Sequence, residues 1–148
     1  MTEFNPGDVI EIEVSDRKAY AQVTHKHPSY PPVVRALEGL HTDRPSDIQE
    51  IVGGPASFIA MIPLGSALLR AGARYEVVGA ADIPEDQRAF PTFRMPIRDK
   101  HGEIVYWWFW DGRGLSYEAD LDAVQEKLPL REVMTGEQFL ERLSGSEG

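Results

Sequence analysis

Apolar and acidic residues alternate strictly near the N-terminus, in VIEIEV at residues 9–14. A period of two is typical of a β-strand with one buried face, so Ile10, Ile12 and Val14 are predicted to point inward. The turn sequence SDR follows, and residues 18–25 alternate in the same way, which predicts an antiparallel hairpin. Such a hairpin needs other apolar elements to cover its inner side.

Further strands are predicted where short apolar or aromatic runs lie between turn signals. These runs are residues 32–37, 57–62, 74–80, 94–98, 103–110 and 115–118. No glycine-rich phosphate loop follows a strand, so a doubly wound nucleotide-binding sheet is not expected. The predicted fold class is α+β, with a curved, mainly antiparallel β-sheet and a few short flanking helices. A barrel-like N-terminal half is one option within this class.

The flanking helices are predicted from their caps. Ser46 is expected to cap a helix over residues 47–52, and Asp120 a helix over residues 120–128 with Val124 facing inward. Pro63 is placed as the first residue of a helix that ends at a Gly72 cap. The helix over residues 136–143 has a capping box of Thr135 and Gln138, with Met134 and Phe139 as a hydrophobic staple.

The composition is that of an ordinary globular protein, with 148 residues, 42% of them hydrophobic and 26% charged. A single domain is predicted over residues 1–143, followed by a disordered tail at residues 144–148. The chain has no cysteine, which excludes thiol nucleophiles, thiolate zinc sites and iron–sulfur clusters.

A membrane span is not expected, although residues 51–69 are uncharged. Glycine and proline interrupt this stretch, and they predict a buried strand followed by a buried helix. The N-terminus lacks the basic start and apolar stretch of a secretory signal, so a cytoplasmic location is expected.

The formal net charge is −9, and residues 111–148 alone carry nine acidic and four basic side chains. A surface of this sign repels phosphate backbones, so nucleic acid is not an expected partner. It favours encounter with a basic protein. The chain itself is expected to be a monomer or a weak homo-oligomer.

Two histidines are the weak candidates for a metal site. His25 and His27 are two residues apart, which in an extended strand places both on one face, where a carboxylate could complete a divalent site. No third ligand can be named, and a pair of solvated histidines at a strand end is the preferred explanation of the pattern. No metal or other cofactor is therefore predicted.

Catalytic residues are not identified either. The motif G-x-S-x-G and comparable nucleophile turns do not occur. The acidic side chains are so numerous that any pair of them is uninformative. The chain is therefore predicted not to be an enzyme.

The run YWWFW at residues 106–110 is the least ordinary stretch. In a strand, Tyr106, Trp108 and Trp110 share one face, and residues 107 and 109 lie on the other. Both faces are buried if the strand is central and covered on both sides. If one face is open, these aromatics beside Asp111 form a protein-binding hot spot.

Acidic residues follow the aromatic run directly, at Glu118, Asp120 and Asp122. Carboxylates at the start of a helix favour its dipole and need no partner. Together with the aromatic strand, they would also suit a basic protein surface.

The order of four short motifs resembles the bacterial immunity protein 26 family. These motifs are PGDV at residues 6–9, YAQV at 20–23, RYEVVG at 74–79 and FPTF at 90–93. The resemblance covers about residues 6–142. It implies a small cytoplasmic protein that binds and neutralises a cognate polymorphic toxin, without catalytic residues of its own.

The predicted function is therefore that of an immunity protein, which neutralises a toxin domain by direct binding. Its predicted contact residues are Tyr106, Trp108, Trp110, Asp111, Glu118, Asp120 and Asp122. The alternative is a small-molecule or metal-binding domain, with or without enzymatic activity, that uses the concave side of the sheet and His25 and His27.

Overall fold

The computed structural model describes residues 4–27, 30–129 and 135–143. These residues divide into two compact units, one formed by residues 4–27, 30–88 and 135–143 and the other by residues 89–129. Residues 144–148 lie outside the described residues. The disordered tail therefore stays a prediction, as does the single domain over residues 1–143.

The first unit contains a five-stranded antiparallel sheet. Its strands are β1 (Asp8–Val14), β2 (Arg17–His25), β3 (Val33–Leu37), β4 (Ala56–Met61) and β5 (Tyr75–Ala80), in the spatial order β4-β3-β2-β1-β5. The register shifts within three of the four strand pairs, and such bulges bend the strands. Within the described residues β4 and β5 are the two edges, so the sheet is open and the barrel-like option is not realised.

Three α-helices accompany this sheet in the described residues: α1 (Ile48–Val52), α2 (Leu64–Arg70) and α3 (Gly136–Leu143). The cap of α1 is Asp47, which accepts hydrogen bonds from the backbone N–H groups of Gln49 and Glu50. The predicted Ser46 cap was thus one residue early. Asp47 has the extended backbone that places its carboxylate over the first helical turn.

Both ends of α2 lie one residue from their predicted positions. Pro63 is the N-cap rather than the first helical residue, and Ala71 is the C-cap. Gly72 follows with a φ of 76°, and its N–H bonds to the carbonyl of Leu69. The N–H of Ala73 bonds to the carbonyl of Leu68, which completes a Schellman motif.

The capping box of α3 is confirmed. Thr135 Oγ1 accepts from the Gln138 N–H at 3.1 Å, and Gln138 Oε1 accepts from the Thr135 N–H at 2.9 Å. The staple residue Met134 lies outside the described residues. Phe139 is fully buried and contacts Phe58 edge to face, with ring centroids 5.3 Å apart.

The main core forms between the sheet and the helices α2 and α3. Ile10, Ile12 and Val14 belong to it, as predicted. The other face of β1 is also covered, by a smaller cluster that contains Tyr20. Glu11 is consequently only 3% exposed, although the alternation predicted a strand with one open face.

The second unit contains a three-stranded antiparallel sheet. Its strands are β6 (Phe93–Arg98), β7 (Ile104–Trp110) and β8 (Leu115–Glu118), in that spatial order. The two antiparallel sheets and the three α-helices together confirm the α+β class. The predicted hairpin with a glycine in its loop joins β6 to β7, and Gly102 there has a φ of 84°.

The helix predicted over residues 120–128 is wrong. The structure has a single 3₁₀ turn at Gln125–Lys127. Asp122 accepts from the Gln125 N–H at 2.7 Å, and the Gln125 side chain accepts from the Asp122 N–H at 3.0 Å. Val124 is 73% exposed rather than inward. This stretch has no packed apolar face, and a helix this short is not stable without one.

Among the described residues, no helix has the length and apolar character needed to cross a membrane. The uncharged stretch at residues 51–69 is divided among α1, β4 and α2. The predicted strand and helix within it are therefore confirmed.

Tryptophan fluorescence can test the single-domain prediction, because all three tryptophans lie in β7 of the second unit. Most of the helix and strand residues lie in the first unit and dominate far-UV circular dichroism. In a single cooperative domain, the two signals are expected to change at the same urea concentration. Two separate midpoints would show that the units unfold independently.

Candidate protein-binding surface

One face of the second sheet is made entirely of apolar and aromatic side chains. Directly opposed residues of antiparallel strands point to the same side. The register pairs Met95 with Trp108, and Trp108 with Tyr117. This side, which we call the aromatic face, comprises Phe93, Met95, Ile97, Tyr106, Trp108, Trp110, Leu115 and Tyr117.

Burial decreases across the aromatic face toward its edge strand β8. Phe93 and Trp110 are buried, and Phe90 contacts Trp110 edge to face with ring centroids 5.4 Å apart. Trp108 is half-buried. Leu115 and Tyr117 on β8 are 57% and 67% exposed. The face is therefore anchored at Phe93 and Trp110 and open on the side of β8, which we call its open end.

Three rings at the open end contact one another. Ring centroids lie 5.8 Å apart for Trp108 and Tyr117, 6.0 Å for Tyr106 and Tyr117, and 6.3 Å for Tyr106 and Trp108. Each such aromatic pair is worth about 0.5–1.5 kcal/mol beyond the area it buries. The mutual contacts restrict the rotamers of these rings, so less entropy is lost when a partner covers them.

The opposite face of this sheet is more polar. It carries Arg94, Ser116 and Glu118 together with Trp107 and Phe109. The guanidinium of Arg94 lies over the Trp107 ring, 5.0 Å from its centroid. This cation–π contact already occupies Trp107, which leaves the aromatic face as the better docking surface.

The structure brings together only some of the predicted contact residues. Tyr106, Trp108 and Trp110 lie on the aromatic face. Glu118 is paired with Trp107 and therefore lies on the other side of the sheet. Asp111 closes the turn to β8, since its carboxylate accepts from backbone N–H groups of the following residues. The role of all of them in binding stays a prediction.

The carboxylate of Asp111 is thus engaged in the fold. Hydrogen bonds from the Gly114 and Arg113 N–H groups lower its pKa below the usual aspartate value. It remains charged at neutral pH and holds the tight turn that aligns β8 with β7.

Four exposed carboxylates lie at the end of β8 and beyond it: Glu118, Asp120, Asp122 and Glu126. None of the ion pairs within the described residues involves them. Their charge is available to an approaching basic molecule, so the open end of the sheet has both apolar contact area and negative potential.

Sequence reasoning missed the two most exposed members of the aromatic face, Leu115 and Tyr117. Their position depends on the pairing of β7 with β8. The DGRG turn at residues 111–114 was the available signal, because a tight turn there sets Trp108 opposite Tyr117.

The scan against protein-family models, the search of curated proteins and the search of solved structures found no match.

The structure places His25 and His27 differently from the strand pair that the sequence suggested. β2 ends at His25, so the same-face argument does not extend to His27. The ring nitrogens of His25 lie 2.8 Å from Thr24 Oγ1 and 2.8 Å from the Arg88 carbonyl oxygen, respectively. Within the described residues, no group of three histidine or carboxylate side chains is placed to hold a metal ion.

A shallow pocket of about 340 Å³ lies beside α1 and is not lined by His25 or His27. Its polar lining includes Glu38, His41 and Asp47, and Asp47 is already the cap of α1. The buried Nε2 of His41 has no hydrogen-bond partner within the described residues.

The charged cluster around Glu11 is structural. Arg44 donates to its carboxylate through Nε at 2.7 Å, and the Tyr20 hydroxyl donates at 2.8 Å. Hydrogen bonds from Arg44 lower the pKa of Glu11 to about 2, against the opposing effect of burial. Burial and the bond to Glu11 raise the pKa of Tyr20. Neither group can exchange a proton efficiently near pH 7.

Proposed function

We propose that this chain is a binding protein that holds a partner protein on its aromatic face, and that the partner is a bacterial toxin domain which it neutralises. The observation that carries the binding proposal is the concentration of exposed apolar side chains around this sheet. Five of the eight large hydrophobic side chains that are exposed in the described residues lie between residues 104 and 124. They are Ile104, Val105, Leu115, Tyr117 and Val124. Two of the five, Leu115 and Tyr117, lie on the aromatic face, and Tyr117 contacts the rings of Tyr106 and Trp108 there. Contiguous exposed apolar side chains of this kind mark interaction surfaces.

A protein suits this surface better than a small molecule or a nucleic acid. The aromatic face is an open sheet surface, and small ligands are usually enclosed in concave sites. The carboxylates beyond β8 and the net charge of −9 repel phosphates. Tyrosine and tryptophan are the residues most often found at the centre of protein interfaces.

The immunity role rests on the motif resemblance together with this chemistry. An inhibitor needs only to cover its target, so it requires no catalytic residues. The carboxylates at residues 118–126 would speed encounter with a basic toxin, and the aromatic rings would slow dissociation. The rings supply apolar area that the partner would bury, and the charges would orient the partner as it approaches.

Tyr117→Ala is expected to weaken the complex by about 30-fold, because truncation of a central aromatic typically costs about 2 kcal/mol. The binding assay is titration calorimetry of the full chain with a candidate toxin domain, chosen from those encoded beside its gene. A parallel assay follows growth of bacteria that express the toxin with or without the chain. Rescue of growth is expected with the natural chain and is expected to be reduced with the variant.

The matched controls are Tyr30→Ala and Leu69→Ala, since both residues are exposed and both lie in the first unit. They are expected to leave affinity unchanged, whereas Leu115→Ala should weaken it. Equal affinity of Tyr117→Ala and the natural chain would overturn the aromatic face as the docking surface. Absence of both rescue and binding would overturn the toxin as the partner.

A further inference from the structure

The outer edge of β8 offers backbone hydrogen-bonding groups to a partner. Within the part of the chain that the structure describes, β8 is an edge strand that pairs only with β7, and all four of its residues are exposed. In an antiparallel ladder, alternate residues direct both N–H and C=O away from the neighbouring strand. Among the described residues, no backbone group outside β7 bonds to this edge.

The other edge of the same sheet is closed. β6 contains Pro96, which has no N–H to donate. The backbone N–H of Arg94 bonds to the Pro129 carbonyl at 2.9 Å, and its Nε bonds to the Leu128 carbonyl at 2.8 Å. Proteins protect edge strands in this way against unwanted pairing. Within the described residues, β8 has neither a proline nor a backbone bond that closes its outer edge.

The side chains of β8 define which strand would fit beside it. Leu115 and Tyr117 point to the aromatic face, and Ser116 and Glu118 point to the opposite face. An added strand would place every second residue beside Leu115 and Tyr117. The residues between would lie on the side of Glu118, close in sequence to Asp120 and Asp122.

We propose that the partner contributes an extended segment with alternating apolar and basic residues, which pairs with β8 as a fourth strand of this sheet. Its backbone bonds to the open edge, its apolar side chains extend the aromatic face, and its lysine or arginine side chains face Glu118. This inference rests on the proposed function of the same surface and names the binding mode. A second copy of this chain is a poorer occupant, because two chains of net charge −9 repel each other.

The test uses the full chain and an acetylated hexapeptide that alternates lysine and valine. Binding is followed by the backbone amide shifts of the labelled protein. The lysine–valine peptide is expected to shift the amides of residues 115–118 and to bind at least about tenfold more tightly than a glutamate–valine peptide. Glu118→Lys is expected to remove this preference. Glu103→Lys, at an exposed position in the loop before β7, is the matched control.

Two further peptides test the backbone pairing itself. One carries N-methyl groups on all valines, and the other carries them on all lysines. Strand addition directs only one of these two sets of N–H groups toward β8, so one peptide is expected to lose binding and the other to keep it. Equal binding of both peptides, or shifts outside β8 and its neighbours, would overturn strand addition.

The outcomes separate this inference from the proposed function. If Tyr117→Ala weakens the toxin complex while the peptides fail to bind at β8, the docking surface stands and the added strand is wrong. If light scattering shows a stable dimer whose contacts involve β8, the edge pairs with a second copy and the basic segment is overturned. If neither the toxin nor the peptide binds, both proposals fail.

Discussion

Glu11→Gln is expected to lower the free energy of unfolding at pH 7 by roughly 3 kcal/mol. The carboxylate is almost fully buried, and Arg44 and Tyr20 donate hydrogen bonds to it. Lys18 adds an ion pair at 3.5 Å. Glutamine keeps the shape of the side chain but loses the charge that these donors stabilise, so the loss reports electrostatics rather than a cavity.

The size of this effect is expected to depend on pH. The pKa of Glu11 is about 2 in the folded chain, below the ordinary glutamate pKa of about 4.3. Its contribution to stability is therefore complete above the unfolded value and is lost as the pH falls toward 2. Urea unfolding of both proteins at pH 7, 4 and 2.5 measures the difference. It is expected to shrink over this range, and a difference independent of pH would contradict the assignment.

Glu76→Gln is the control for the same network. Glu76 also accepts a hydrogen bond from Arg44, but its side chain is 60% exposed. Exposed ion pairs contribute about 1 kcal/mol or less. An effect as large as that of Glu11→Gln would place the stabilising interaction at the surface rather than at the buried carboxylate.

The elements that the sequence predicted well are those with a local cause. Alternation at residues 9–14 placed Ile10 and Ile12 in the core, because a strand has the same period in any fold. The capping box placed the start of α3, since Thr135 and Gln138 satisfy each other within one turn. Neither prediction required knowledge of a distant partner.

Errors occurred where distant contacts decide the outcome. Residues 120–128 have a helical apolar pattern, but among the described residues no other element covers Val124, which is 73% exposed. The burial of Glu11 depends on Arg44, which lies 33 residues away along the chain. The alternating pattern gave no sign that an acidic position would face a second cluster of buried side chains.

The candidate site was predicted only in part, because its make-up also depends on contacts between strands. The alternation within the run at residues 106–110 put Tyr106 and Trp108 on one face, but it left open which face a partner could reach. That depends on β8, whose Tyr117 adds the most exposed ring, and on Arg94, which covers Trp107 from the other side. A cross-strand register of this kind cannot be read from one strand alone.

Gly136→Ala is expected to destabilise the first unit by about 3 kcal/mol, although alanine normally favours a helix over glycine. Gly136 is the first residue of α3, and an added Cβ would overlap the carbonyl of Ala67 in α2. The helix would have to move away from α2, which would expose Phe139. Urea unfolding followed by far-UV circular dichroism measures the loss.

Gly114→Ala is the control, because its φ is not positive and no heavy atom lies within 4 Å of an added Cβ. A Gly136→Ala chain as stable as the natural one would show that α3 does not approach α2 this closely.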